Sequence, residues 1–308
     1  MPIEMKDLAI STMWNYRKAR SGRELIDQLL ELGFSRVELN YQVKSEWLPE
    51  IHESVRRGEI AVTSVHNVFP KTYDEDYGTD SVLLGYSDET KRREAVRLSK
   101  ISIDHAASLG AGAVVFHPTE VPLDPKKYDV PIKKLIASGK RQSEKCEELI
   151  SEMKRERLAQ PYLTQMMRSV EELVSYVENN RIPVKLGMEN RAMCHQIPWY
   201  GEFELIAERF DQSPCGIWLD TGHGIMMQEM GLQALPLSDT VARNIVGMHI
   251  HDAANGLDHY APCTLPGCVL EPFRDYIEKS PIKVLELSGR LSAEEIKTGT
   301  ADFLRIFG

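Results

Sequence analysis

Gly216-Ile217-Trp218-Leu219-Asp220, with Thr221-Gly222-His223-Gly224 directly behind it, is the stretch on which the fold turns. Its first four residues carry no polar side chain, as a strand buried on both faces of a parallel sheet requires. Its fifth is a carboxylate, and a histidine follows three positions on. Working outward, the same pattern recurs. Upstream, β-rich runs fall at residues 184–189, 113–117, 60–66, 37–40 and 8–13; downstream, at 245–249 and 283–286. That makes eight strands, each followed by a helical pattern or a long loop. Apolar residues recur at helical spacing in 22–30, about 46–57, about 89–109, about 160–179 and 292–306. Eight such units predict an α/β fold of the (β/α)8 TIM-barrel type. The doubly wound open sheet is disfavoured, because no GxGxxG turn follows the first run.

The interval from His117 to Val184 is too long for one barrel unit. It predicts a helical segment inserted at about 120–160, after the fourth strand, within a single TIM-barrel domain spanning 1–308. The charge-rich stretch 143–157 inside it reads as a solvated helix face, with a lid or a subunit contact as the other reading. The segment could support a homo-oligomer.

The composition sets the outer limits. The chain has 308 residues, 42% hydrophobic and 27% charged, which is ordinary globular content. No apolar run approaches the ~18–20 residues that cross a bilayer. The start, Met1-Pro2-Ile3-Glu4-Met5-Lys6-Asp7, is not a secretory signal pattern. Five cysteines without a CxxC pair argue against a disulfide framework and point to the cytoplasm. Cys263 and Cys268 do not match a zinc ribbon and receive no role. The net charge of −9 weighs against nucleic acid as a partner.

Active sites of barrels form where strands end. Six of the predicted strands end on a metal-type ligand: His66, His117, Glu189, Asp220, His249 and Glu286. One such residue would mean little. Six at one face imply a cation, because buried ionisable groups are costly unless paired or metal-bound. The set mixes nitrogen and oxygen without thiolate, which suits Zn²⁺ or Mn²⁺, at a count of one to three. His223, His251, Asp252 and His259 lie just beyond the strand ends. They could bind further metal or substrate, Asp252 could orient a ligand imidazole, and His251 reads equally as a polar rim residue. Glu38 could reach substrate or form a rim ion pair. His195 is a loop candidate, while His52 and His105 fall on helices and read as structural or exposed. Trp14, Tyr16 and Phe69 read as pocket walls or as a cap on the barrel.

The motifs Ser64-Val65-His66, Phe116-His117-Pro118, Gly187-Met188-Glu189-Asn190, Leu219-Asp220-Thr221-Gly222-His223, Met248-His249-Ile250-His251-Asp252 and Leu285-Glu286 resemble those of the xylose-isomerase-like TIM-barrel superfamily. That superfamily includes apurinic/apyrimidinic endonuclease family 2 (endonuclease IV) and many sugar isomerases and epimerases. The resemblance runs from Leu8 to Phe307 apart from 120–160. Its epimerase branch implies one divalent metal on Glu189, Asp220, His249 and Glu286. Glu189 and Glu286 would then act as acid and base through a metal-stabilised enediolate, with His223 holding a substrate oxygen. His66, His117, His259 and Arg191 join His223 as expected substrate contacts. The endonuclease branch implies three zinc ions, with His66 and His117 in a second site and a later Asp-x-His pair in a third. This chain has Asp258 and His259 adjacent instead, which weakens the third site.

Three functions therefore stand at this stage. The first is a metal-dependent isomerase or epimerase of a sugar or sugar phosphate, with a small carbohydrate as partner. The second is a zinc phosphodiesterase acting on abasic DNA. The third is a metal-binding barrel without activity. The bases nearest the expected rim, including Arg17, Lys18, Arg20, Arg191 and Arg290, are scattered, and 253–268 holds no Lys or Arg. That disfavours a duplex groove. Arg17, Lys18, Arg20 and Arg191 are the candidates to hold a phosphate on a small substrate.

Overall fold

The computed structural model describes residues 2–308. Eight parallel strands close into a barrel: β1 (Leu8–Ser11), β2 (Arg36–Leu39), β3 (Ala61–His66), β4 (Ala113–Phe116), β6 (Lys185–Glu189), β8 (Cys215–Asp220), β9 (Ile245–Ile250) and β12 (Lys283–Leu285). Each pairs with its neighbours in chain order, and β12 closes on β1 through Ile10 beside Leu285. Two small antiparallel ladders stand outside the barrel: β5 (Thr119–Glu120) with β7 (Gln196–Ile197), and β10 (Asp252–Ala254) with β11 (Leu257–Tyr260).

The helices are α1 (Gly22–Glu31), α2 (Leu48–Arg56), α3 (Glu89–Ser108), α4 (Asp129–Ala137), α5 (Glu144–Leu158), α6 (Tyr162–Asn179), α7 (Tyr200–Arg209), α8 (Thr221–Glu229), α9 (Asp239–Arg243), α10 (Arg274–Lys279) and α11 (Ala293–Phe307). The expected eight strands are all present. The first is shorter than its apolar run, because the Ser11 side chain accepts the Met13 N–H and turns residues 12–14 into a 3-10 helix. The long interval after β4 holds α4, α5 and α6. Its charged stretch is α5, which buries Cys146, Ile150, Met153 and Arg157 at helical spacing and leaves most of its other charges to solvent. Among the described residues, no helix is long and apolar enough to cross a membrane.

Strand alternation sets the layers inside the barrel. The register puts Asp220 beside His249, Trp218 beside Gly247 and Gly187 beside Gly216. Trp218 fills the lower interior with Ala9, Ala113, Val115 and Val284. Gly247 leaves room for it, since a Cβ there would lie 2.2 Å from the indole. Two residues further along the same strands, the side chains are Glu189, Asp220, His249 and Glu286, all buried.

Candidate functional site

At the C-terminal end of the barrel the donor atoms gather into groups, each within 4.8 Å of one another: Glu189, Asp220, His249 and Glu286; His66, His117 and Glu189; His223, Asp258 and His259; and His251, His259 and Glu286. Glu189 belongs to two of them.

Hydrogen bonds decide which nitrogen of each imidazole is free. A carbonyl oxygen only accepts, so a ring nitrogen facing one carries the proton. His66 Nδ1 donates to Asn67 O at 3.0 Å, His223 Nδ1 to Asn190 O at 3.0 Å, and His259 Nδ1 to Glu286 O at 3.0 Å. His117 Nδ1 donates to the Asp80 carboxylate at 2.7 Å. His249 Nε2 donates to Glu38, 3.1 Å from each carboxylate oxygen. In five histidines one nitrogen is thus anchored and the other turns toward the donor groups, the usual preparation of a metal-ligating imidazole.

His251 is different. Its Nδ1 accepts the His259 N–H at 2.9 Å and its Nε2 donates to Asp220 Oδ2 at 3.0 Å, so both nitrogens are used. It is a buried partner of Asp220 rather than a rim residue. Gly222 makes this contact possible, since a Cβ there would lie 2.0 Å from the His251 ring. Asp220 itself serves twice: Oδ1 caps α8 by accepting the His223 N–H at 2.7 Å, and Oδ2 faces the imidazoles.

The four-donor group contains buried atoms with no hydrogen-bond partner: both carboxylate oxygens of Glu189, and Nδ1 of His249. Yet His249 Nδ1 lies 3.3 Å from Glu286, 3.4 Å from Glu189 and 3.6 Å from Asp220. A ring nitrogen and carboxylates this close, without hydrogen-bond geometry, converge on a common point. With mixed nitrogen and oxygen donors, these residues fit a divalent cation. The His66 group has a cation already. The buried Arg191 guanidinium contacts His117 Nε2, lies 3.6 Å from Glu189 and pairs with Asp80 at 2.8 Å.

Without an added ion the cluster sorts its charge internally. Burial opposes ionisation of Glu189, but His117 and His249 outweigh it and hold the carboxyl well below its usual range. Burial also opposes ionisation of Asp220, where His223 and His251 outweigh it. Burial pushes Glu286 up to about 7; His249 pulls it back, and the charges of Glu189 and Glu38 add to the rise. Burial lowers His223, yet Asp220 and Glu189 carry it up to about 9. Burial, helped by His251, brings His259 down to about 4.

The remaining sequence candidates fall in several places. Asp258 and His259 are neighbours in the chain and should face opposite ways along a regular strand. His259 has φ 60°, and with that break both side chains reach His223, at 3.6 Å between His223 Nε2 and Asp258. Asp252 orients no imidazole; its carboxylate accepts the N–H groups of Cys263, Thr264 and Leu265 at 3.0 Å each and so shapes the loop behind β11. Cys263 and Cys268 face each other there, sulfurs 3.3 Å apart. His195 stands apart, beside Glu120 at 3.6 Å. Phe69 is buried against His105. Asp80 and Asn190 were not singled out from the sequence. Neither ends a strand, and nothing local marks them as partners of His117 and His223.

Above the donors opens a cavity of about 540 Å³ lined by Trp14, Tyr16, Asn40, Tyr41, Asp258 and His259, among others. The Tyr41 ring lies 5.2 Å from that of His66, so the cavity wall borders the His66–His117–Glu189 group.

Known proteins agree with this architecture. No curated protein matches the chain in sequence. Among solved structures, the chain is similar to 3-keto-D-glucoside 4-epimerase (YcjR) from E. coli in its apo form: 16% identity, TM-score 0.63, covering 97% of this chain and 99% of that one. D-psicose 3-epimerase from Clostridium cellulolyticum H10, solved with D-tagatose, gives 15% identity, TM-score 0.65, and coverage of 98% and 99%. The IOLI protein with a bound zinc atom gives 15% identity, TM-score 0.57, and coverage of 98% and 99%. At these identities the likeness is one of fold. The model of the xylose isomerase-like TIM barrel family matches residues 26–305, and the chain belongs to that family.

Proposed function

We propose that this protein is a divalent-metal-dependent isomerase or epimerase of a sugar or sugar derivative. The observation that carries the reading is the pairing of two buried glutamates, Glu189 and Glu286, in one four-donor group beneath a cavity of small-molecule size. The fold shared with sugar epimerases supports it.

Glu189, Asp220, His249 and Glu286 would hold the ion. Bound there, it supplies Lewis-acid polarisation of a substrate carbonyl and the hydroxyl beside it. The two glutamates do the proton work. One carboxylate takes the proton from the carbon next to the carbonyl, and the electron pair moves to the oxygen to give an enediolate. In epimerisation the other carboxyl returns a proton to the same carbon from the opposite face. In isomerisation the proton returns to the former carbonyl carbon while the hydroxyl proton passes to the former carbonyl oxygen. Glu38 fixes the His249 ring through Nε2 and keeps Nδ1 toward the group. His223 and His259, each with Nδ1 anchored, offer Nε2 to substrate oxygens. Arg191, expected as a substrate contact, serves in this reading as the fixed cation of the His66–His117–Glu189 group. The aromatic walls Trp14, Tyr16 and Tyr41 keep water from the enediolate.

The test is exchange of the proton beside the carbonyl, read by NMR in deuterated water across a panel of ketoses, with protein holding its native metal. Exchange that depends on Glu189 and Glu286 supports the reading.

One observation favours a second reading, a phosphodiesterase of abasic DNA: a three-donor group, His223, Asp258 and His259, stands in addition to the two groups that share Glu189. Arg191 weighs against it, because the guanidinium already answers the charge of the His66 group. Elemental mass spectrometry separates the two. About one equivalent of metal per chain fits the epimerase, and three zinc equivalents with nicking of abasic-site DNA overturn it.

A further inference from the structure

The mouth of the cavity carries charge that the chemistry below does not use. Arg17, Lys18 and Arg290 all line it. Most arginines of this chain are ion-paired, including Arg20, which leaves the cavity to meet Glu24. Among the described residues, none of these three has a carboxylate within 4.0 Å of its charged nitrogens.

They do not meet by accident of surface. Arg17 and Lys18 lie on the loop after β1, and Arg290 lies on the loop after β12. The two loops are tied together. Trp14 Nε1 donates to Leu291 O at 2.9 Å, and Lys18 Nζ donates to the same oxygen at 3.2 Å. The residue before Leu291 is Arg290, so one carbonyl holds both loops and their cations together. Each cation on the first loop is also held against an aromatic ring: Lys18 Nζ lies 4.0 Å from the Trp14 ring centroid, and Arg17 lies 5.3 Å from that of Tyr16 while donating to its hydroxyl at 2.7 Å. Partial burial lowers the pKa of Lys18. Among the described residues, Asp258 is the one acid on the cavity wall, and it faces His223 and His259 at 3.6 and 3.7 Å.

The cavity is therefore polarised. Asp258 and His259, members of the donor groups, line one part of it, and three positive side chains without counter-charges line another. A ligand that fills both parts carries neutral oxygens toward the donor groups and an oxyanion toward the cations. Resting on the isomerase or epimerase reading, we infer that the substrate is an anionic sugar whose terminal phosphate or carboxylate is bound by Arg17, Lys18 and Arg290. A neutral ketose lacks the group these residues wait for.

The test is isothermal calorimetry on the protein with its native metal, using three ligands that differ only at carbon 6: D-fructose, D-fructose 6-phosphate and D-fructuronate. We expect the phosphate, the carboxylate or both to bind about tenfold or more tightly than fructose, as one or two charge-assisted hydrogen bonds would give. Arg17→Gln, Lys18→Gln and Arg290→Gln combined should erase the preference while leaving fructose binding unchanged, and the preference should shrink with added salt. Arg305→Gln, in an exposed pair with Asp302 on α11, should leave it intact. Which anion binds more tightly tells phosphate from carboxylate. Anionic ligands that bind no better than fructose, or not at all at millimolar concentration, overturn the inference; so does a preference that survives the triple variant. Because heat of binding is read without turnover, these failures are distinct from failure of the proposed reaction, which would show as binding without proton exchange.

Discussion

The interior of this barrel has two layers within one closed sheet, both buried and opposite in chemistry. The lower one is Ala9, Ala113, Val115, Trp218 and Val284. The upper one is Glu38, His66, Glu189, Asp220, His249 and Glu286. The two layers touch where the Trp218 ring meets that of His249 edge-on, with centroids 5.2 Å apart. Burial alone says nothing of role. The lower layer closes by packing around one indole. The upper layer keeps partnerless polar atoms on Glu189 and His249, a cost that stability alone would not retain.

The strongest way to break this contrast is in the upper layer. Glu189→Gln and Glu286→Gln should each lower proton exchange by about 10³-fold or more, near the upper end of what acid–base catalysis contributes, while circular dichroism and Tm stay close to the parent. Retained exchange in both variants would remove the glutamates from the chemistry. The lower layer answers in the other currency. Trp218→Ala should cost about 3–5 kcal/mol in urea unfolding through the cavity it leaves. An unchanged midpoint would mean that this layer is not the packing core its contacts describe.

A third variant sharpens the boundary between the layers. Glu38→Gln removes the charge that holds His249 but leaves a hydrogen-bond acceptor. Metal affinity, measured by competition with a chromophoric chelator, should fall about 10- to 100-fold with little change in unfolding. The last effect is one of pH. In chelated protein, His223 keeps its proton up to about 9, and His249, ringed by Glu286, Glu38 and Glu189 against the pull of burial, is raised well above its ordinary value. In the unfolded chain both lose their protons near pH 6.5. Their contribution is thus complete below about 6.5 and is lost as pH rises, by up to about 1.4 kcal/mol per pH unit per retained proton. Chelated protein should lose stability from pH 7 to 9. Restoring metal should reverse this, because deprotonated ligands bind it better. A Tm of chelated protein that is flat across this range would show that the two imidazoles are neutral in the fold.

Much of this was legible in residue order. Eight β-rich runs specify a parallel barrel, and six of them, Gly216–Asp220 among them, end on a histidine or carboxylate, which puts those side chains at one end of it. Helices α7 and α8 were harder to see. α8 begins directly on Asp220, and half of its sequence, Thr221-Gly222-His223-Gly224, carries the site rather than an amphipathic stripe. The hairpin of β10 and β11 escaped for a similar reason: its register shifts between Asp252 and Ala254, and so breaks the alternation by which strands are recognised.

Which residues could serve as donors is a local property. It follows from residue type at a strand end, and Glu189, Asp220, His249 and Glu286 could be named without knowing what they face. How the donors are wired is not local. Glu38 holds His249 from 211 positions away, Asp80 holds Arg191 from 111, and the adjacent Asp258 and His259 converge through one left-handed residue. Strand order and side-chain alternation act over a few residues, so they can be read in line. Free lone pairs and charge pairing depend on distances that exist only once the barrel has closed.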